Sequence, residues 1–103
     1  MNKLKALYMF LDETADSTKH RAVVDTPSVT MTIIGVSSRE EAAKTAKQHV
    51  QEGCVLVELC GACGYEGAKK VYDAVGDKVP VGMMVHQFDN APNICELIKR
   101  LGL

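Results

Sequence analysis

The chain has 103 residues, 47% of them hydrophobic, with 12 basic against 13 acidic residues and a net charge of −1. That length suits one domain, residues 1–103, with a single modest core. The balanced charge offers no basic stripe for nucleic acid, and the apolar runs are too short to span a bilayer, so neither nucleic acid nor membrane is an expected partner. The stretch from Met1 to Tyr8 lacks the apolar segment and small-residue cleavage site of a signal peptide. The expected compartment is therefore the cytoplasm, and the four cysteines are expected as reduced thiols.

Leu4 to Leu11 reads as a first strand, apolar after Lys5 and so buried on both faces, as parallel strands are. Asp12 and Glu13 end it. Within residues 14–27, Asp16 or Ser17 is expected to cap a short helix through His20 to Val24, stopped by Thr26 and Pro27. Ser28 to Ile34, rich in β-branched residues, is the second strand, closed by Gly35. Ser37 with Glu40 and Ser38 with Glu41 form overlapping capping boxes. The helix behind them runs to Glu52, with Ala43, Ala46 and Val50 as its buried stripe, Lys44, Lys47 and Gln51 in water, and Gly53 just past its end.

Val55 to Leu59 is the third strand. A helix from Tyr65 to Val75 follows, burying Ala68, Val71, Tyr72 and Val75, and Gly76 ends it. Pro80 to Val85 is the fourth strand. The last helix is capped by Asn90 or Ala91, has Pro92 in its first turn, and carries a stripe of Ile94, Leu97, Ile98 and Leu101. Alternating strands and helices predict an α/β fold. The simplest form is a small three-layer sandwich: a mainly parallel four-stranded sheet in flavodoxin-like order 2-1-3-4, with helices on both faces. Ligands in such sheets bind beyond the carboxyl ends of the strands.

The candidate residues gather at those ends. Cys60-Gly-Ala-Cys63 joins a strand to a helix, where the helix dipole favours a thiolate and two thiols three residues apart can close a disulfide. The segment is locally similar to a thioredoxin active site, with Leu59 in place of the usual aromatic residue. The competing reading is two small side chains packed in a tight turn. No metal is expected: zinc needs four ligands, Cys54 and Cys95 are isolated, and Cys60, Cys63 and His86 with an acid have no supporting spacing. Glu58 is an acid inside an apolar strand, a candidate general acid or base, or else an acceptor for loop N–H groups. His86 follows the fourth strand and could face Cys60 as a base, or be a surface histidine. Gly61, Gly64 and Gly67, with Tyr65 and Ser37, would let a ligand approach the helix N-terminus, although the spacing matches neither nucleotide-binding glycine motif and needs no cofactor.

Six stretches together resemble a family of small prokaryotic proteins catalogued only as a domain of unknown function. They are Lys19 to Val24 with Thr26-Pro27, Gly35-Val36, Glu40 to Ala42, Glu58-Leu-Cys60-Gly61, Gly64-Tyr-Glu-Gly67 and Val79-Pro-Val-Gly82. The resemblance implies a soluble cytoplasmic α/β domain, brings no established activity, and singles out Glu58, Cys60 and Gly61 ahead of Cys63.

Three functions follow as expectations. The first is binding of a small polar or anionic molecule at the strand carboxyl ends. The second is thiol-dependent redox or nucleophilic chemistry, with Glu58, Cys60, Cys63 and His86 as the catalytic candidates. The third is a non-catalytic assembly module, a homodimer or higher homo-oligomer joined through Met83 to Val85 and the Ile94–Leu101 helix.

Overall fold

The computed structural model describes residues 3–103; Met1 and Asn2, the start of the stretch read for a leader, lie outside the described residues. The chain forms β1 (Leu4–Leu11), β2 (Arg21–Asp25), β3 (Val29–Val36), α1 (Arg39–Gln51), β4 (Leu56–Leu59), α2 (Gly64–Val75), β5 (Val81–Met83) and α3 (Ala91–Leu101). Short 3₁₀ turns at Gly61–Cys63 and Phe88–Asn90 precede α2 and α3. The five strands make one sheet in the order β2-β3-β1-β4-β5, parallel throughout except where β2 runs antiparallel to β3. The expected α/β class holds, and the four expected strands keep their relative order, β3-β1-β4-β5. The sheet has five strands, not four, because of the added β2.

Residues 21–25 form that strand where a short helix was expected. The local turns explain the difference. Asp12 accepts hydrogen bonds from the Thr14 N–H and hydroxyl, and Asp16 does the same for Thr18, so two side-chain turns occupy the segment that a helix would need. A tight turn at 26–28, in which Thr26 Oγ1 accepts from the Val29 N–H at 3.0 Å, then sends the chain back along β3. Val23 and Val24 suit the ladder that the edge of β3 offers. Gly35 lies inside β3 and does not close it. A Cβ there would come within 2.7 Å of the Phe10 ring, so glycine is what lets that ring lie against the strand.

This strand also decides how many layers the fold has. The crossovers β3–α1–β4 and β4–α2–β5 step the same way across the sheet, and crossovers of one hand stepping one way land on one face. Accordingly Ala42 and Ala46 of α1 and Val71 of α2 share a single core with Leu7, Met9, Ile34, Val36, Val57 and Leu59. The connection from β1 to β3 steps the opposite way and would deliver a helix to the second face; here it holds β2. The expected second helical layer is therefore not formed among the described residues. Strand alternation turns Tyr8, Met31, Ile33, Leu56 and Glu58 onto that open face.

Helix termini follow the sequence closely. Ser38 caps α1, its Oγ accepting from the Glu41 N–H at 3.0 Å, while Glu40 reaches Lys70 and forms no box with Ser37. The buried stripe of α1 is Ala42, Thr45 and Ala46, with Ala43 and Val50 packed beside it. In α2, Val71 is buried as expected but Tyr72 is half exposed. Gly53, Gly64, Gly76 and Gly102 take positive φ. The last helix, α3, buries none of its residues. It lies across the carboxyl ends of the strands: Ile94 and Ile98 line a groove with Gly61 and Tyr65, and Leu103 just beyond it reaches the Phe10–Thr14 segment.

Candidate functional site

The strand carboxyl ends meet around Cys60. The Cys60 N–H donates to Met9 O at 3.0 Å, and its Sγ accepts from the Leu11 N–H at 3.2 Å, so β1 grips this residue from both sides. The 3₁₀ turn then folds back, with the Cys63 N–H on Cys60 O. The two sulfurs lie 3.9 Å apart as free thiols. Cys63 is fully buried, and burial first, then its neighbour Cys60, push its thiol up to about 12. Cys54 is also buried, donating to Leu56 O, and Cys95 is exposed on α3.

The three glycines of this turn each have a packing reason. Gly61 passes so close to β5 that a Cβ would meet Met84 O at 3.2 Å. Gly64 has φ +67°, which L side chains rarely adopt. Gly67 lies under Arg39, and a Cβ there would approach Cys63 Cβ at 3.0 Å. Arg39 crosses from α1 to the start of α2 and donates from Nε to Cys63 O at 2.7 Å. Ser37 is occupied within its own turn, its N–H donating to Glu41 Oε1 at 2.9 Å with its hydroxyl alongside at 3.4 Å.

The expected site residues divide between two hollows. Gly61, Gly64, Tyr65 and His86 line one groove of about 630 Å³, closed on its far side by α3. The rest of that wall is mainly apolar, Met83 to Val85 with Ile94 and Ile98. His86 is exposed in it and also borders a smaller hollow with Asn90 and Asn93. Glu58 belongs to a second depression, about 470 Å³, on the open sheet face with Tyr8, Met31, Ile33 and Met84. Met84 touches both hollows, and Cys60 and Cys63, just past the end of β4, line neither. Ser37 and Gly67 sit instead in the packing of α1 and α2.

The second depression holds the residue that the sequence did not reveal. Tyr8 is the direct neighbour of Glu58 across the β1–β4 ladder. Its hydroxyl donates to Met84 Sδ at 3.5 Å, and burial, then the nearby Cys60 and Cys63, raise its pKa above the ordinary 10.0. Gly82 pairs with Glu58 on the other side. The carboxylate lies directly over this glycine, and a Cβ at 82 would be 2.5 Å from Oε2. None of the salt bridges among the described residues reaches Glu58. A tyrosine in an otherwise apolar strand was the available signal, but its partnership with Glu58 exists only in the strand register.

This arrangement offers a carboxylate acceptor and a phenol on an apolar floor, beside a pair of thiols. Among the described residues, no three His, Cys, Asp or Glu side chains cluster to hold a metal ion, and no helix is long and apolar enough to cross a membrane. No curated protein matches the chain, and neither does any solved structure. A family model matches residues 4–98, the whole sheet and all but the end of α3. The chain thus belongs to the family described as a family of unknown function (DUF6506).

Proposed function

We propose that this protein binds a small, largely apolar molecule carrying an N–H or O–H donor, seated on the open sheet face with its donor on Glu58. The observation that carries this reading is Glu58 itself, a carboxylate on an apolar sheet face with no salt bridge among the described residues. Glu58 is half-buried with its oxygens open to solvent, so covering it costs free energy unless the covering group pairs with it. A ligand donor supplies the missing partner, Tyr8 orients it, and Met31, Ile33 and Met84 provide apolar contact. The expected carboxyl-end site is thereby displaced toward the sheet face, with the His86 groove adjoining it through Met84. Glu58 favours neutral or cationic ligands over the anion first expected. Arg39, the cation nearest the glycine turn, already donates from Nε to a backbone carbonyl.

The test is a melting-temperature screen of amines, amides, alcohols, carboxylates and inorganic phosphate against the wild type and Glu58→Gln. A donor-bearing apolar compound is expected to raise the melting temperature, and Glu58→Gln to abolish most of the rise. A rise that Glu58→Gln leaves intact, or a rise with anions alone, would overturn the assignment, as would no rise at all.

A second reading rests on the 3.9 Å approach of the Cys60 and Cys63 sulfurs. A small-molecule disulfide is the oxidant: its S–S bond breaks and its two sulfurs leave as thiols, taking the two electrons and two protons that Cys60 and Cys63 give up as their own S–S bond forms. Burial holds the Cys63 thiol protonated, so Cys60, the more accessible sulfur of the two, is the attacking thiol in this reading.

A further inference from the structure

The sheet has a face on which the chain lays no helix, and its side chains there, Tyr8, Met31, Ile33 and Leu56, are left half-buried. Parallel strands are almost always buried on both faces. The open face presents Val24, Met31, Ile33, Tyr8, Leu56 and Met84, with Glu58 the single charged side chain that strand alternation turns that way. The same chain carries an amphipathic helix with no sheet beneath it: α3 buries nothing, and Ile98 and Leu101 are 42% and 59% exposed. A sheet lacking its second layer and a helix lacking its sheet are complementary deficits, and a two-fold pair of identical chains can satisfy both.

The surface area leaves room for such a contact. The chain exposes 7028 Å². A compact monomer of 11.2 kDa is expected to expose about 5,700 Å². The excess, roughly 1,300 Å², exceeds the ~800 Å² that each partner contributes to a standard stable interface. The radius of gyration agrees, at 14.3 Å against about 12.8 Å for a compact domain of this length.

We infer that a second copy of this chain covers the open sheet face, with the unpartnered stripe of α3 in the same isologous interface. The contact roofs the depression over Tyr8 and Glu58, so a ligand seated there lies between the two copies. That consequence rests on the ligand reading; the pairing does not, and it is measured without ligand.

Sedimentation equilibrium of the full chain at low micromolar concentration is expected to give a species of twice 11.2 kDa. Ile33→Asp places a charge in the centre of the contact, away from the α1–α2 core, and is expected to weaken association on the order of 100-fold. Lys44→Glu on the outer face of α1 is expected to leave it unchanged. Because Ile33→Asp could fail to fold, the wild type supplies an independent reading. Peroxide oxidation of Met31 and Met84 should slow as concentration rises through the dimerisation range. A monomer at every concentration, a folded Ile33→Asp that still dimerises normally, or Met31 and Met84 oxidising equally fast throughout would each overturn the inference.

Discussion

Gly82→Ala tests how closely Glu58 lies against β5, and two opposing effects set its magnitude. Gly82 is not among the positive-φ glycines, so its backbone accepts alanine. Restricting the unfolded chain should then stabilise the protein by about 0.4–1 kcal/mol. The new Cβ would, however, lie 2.5 Å from Glu58 Oε2 and 3.3 Å from its Cδ, and the three nearest atoms all belong to that carboxylate. Glu58 must rotate away, at about 0.5–1.5 kcal/mol for a displaced rotamer. Gly82→Ala alone should therefore be nearly neutral in urea unfolding at one fixed protein concentration. In a Glu58→Ala background the obstruction is gone and only the gain remains. The double-mutant cycle should show a coupling of about 1 kcal/mol. Additivity within about 0.3–0.5 kcal/mol would refute the placement of Glu58 over Gly82.

Three further outcomes are expected. Gly35→Ala drives a Cβ to 2.7 Å from the Phe10 ring and 3.1 Å from Ala15 Cβ; it should lower stability by about 1–3 kcal/mol, and an unchanged urea midpoint would show that the ring is not held there. Native alkylation should label exposed Cys95 quickly and buried Cys54 and Cys63 slowly, since burial raises both thiols and keeps them protonated at neutral pH; rapid neutral-pH labelling of Cys63 would contradict its burial. Acid should destabilise the fold. The carboxyls of Asp12, Asp16 and Asp25 are held low by hydrogen bonds, chiefly from Thr14, Thr18 and Lys3, and His49 is lowered from its ordinary 6.5 by burial. Each folded pKa lies below its unfolded value, so each contribution is present above the unfolded pKa and lost as pH falls through the folded one. The melting temperature should therefore fall first below the histidine range and again in the carboxylate range, and a flat profile would refute the assignment.

Much of the fold was legible because its signals are local. Ser38, Gly53, Gly76 and Pro92 punctuate the helices where capping chemistry requires, Asn90 holds the N-cap position of α3 without a side-chain hydrogen bond, and the apolar runs of β1, β3 and β4 stand out at once. Residues 20–25 were not legible in the same way. Ala22, Val23 and Val24 are too few to show a helical or alternating period, and the open edge of β3 decides between the two. That one segment then settles whether the sheet has one helical layer or two, so the layer count was hidden as well. Burial of β1 on both faces is met on the Leu7 and Met9 side, whereas Tyr8 and Phe10 on the other side are half-buried, because a sequence does not say whether a second cover comes from the same chain.

The candidate site was legible only in part. Glu58 stood out as an acid in an apolar strand and Cys60 as a thiol at its end, and the structure places both where β4 leaves the sheet. Tyr8 escaped because it lies fifty residues from Glu58 in sequence and meets it only through the parallel register of β1 with β4. The glycine turn suggested a ligand, whereas Gly61, Gly64 and Gly67 are each accounted for by a close approach or a positive φ.

The most direct measurement of the central claim is methyl-resolved NMR of the full chain, titrated with a donor-bearing compound from the melting screen. The account predicts shifts at the methyl groups of Met31, Ile33 and Met84 on the open sheet face, with Val71 in the α1–α2 core unmoved. Shifts confined to residues around the glycine turn, with the sheet-face methyls unchanged, would contradict it.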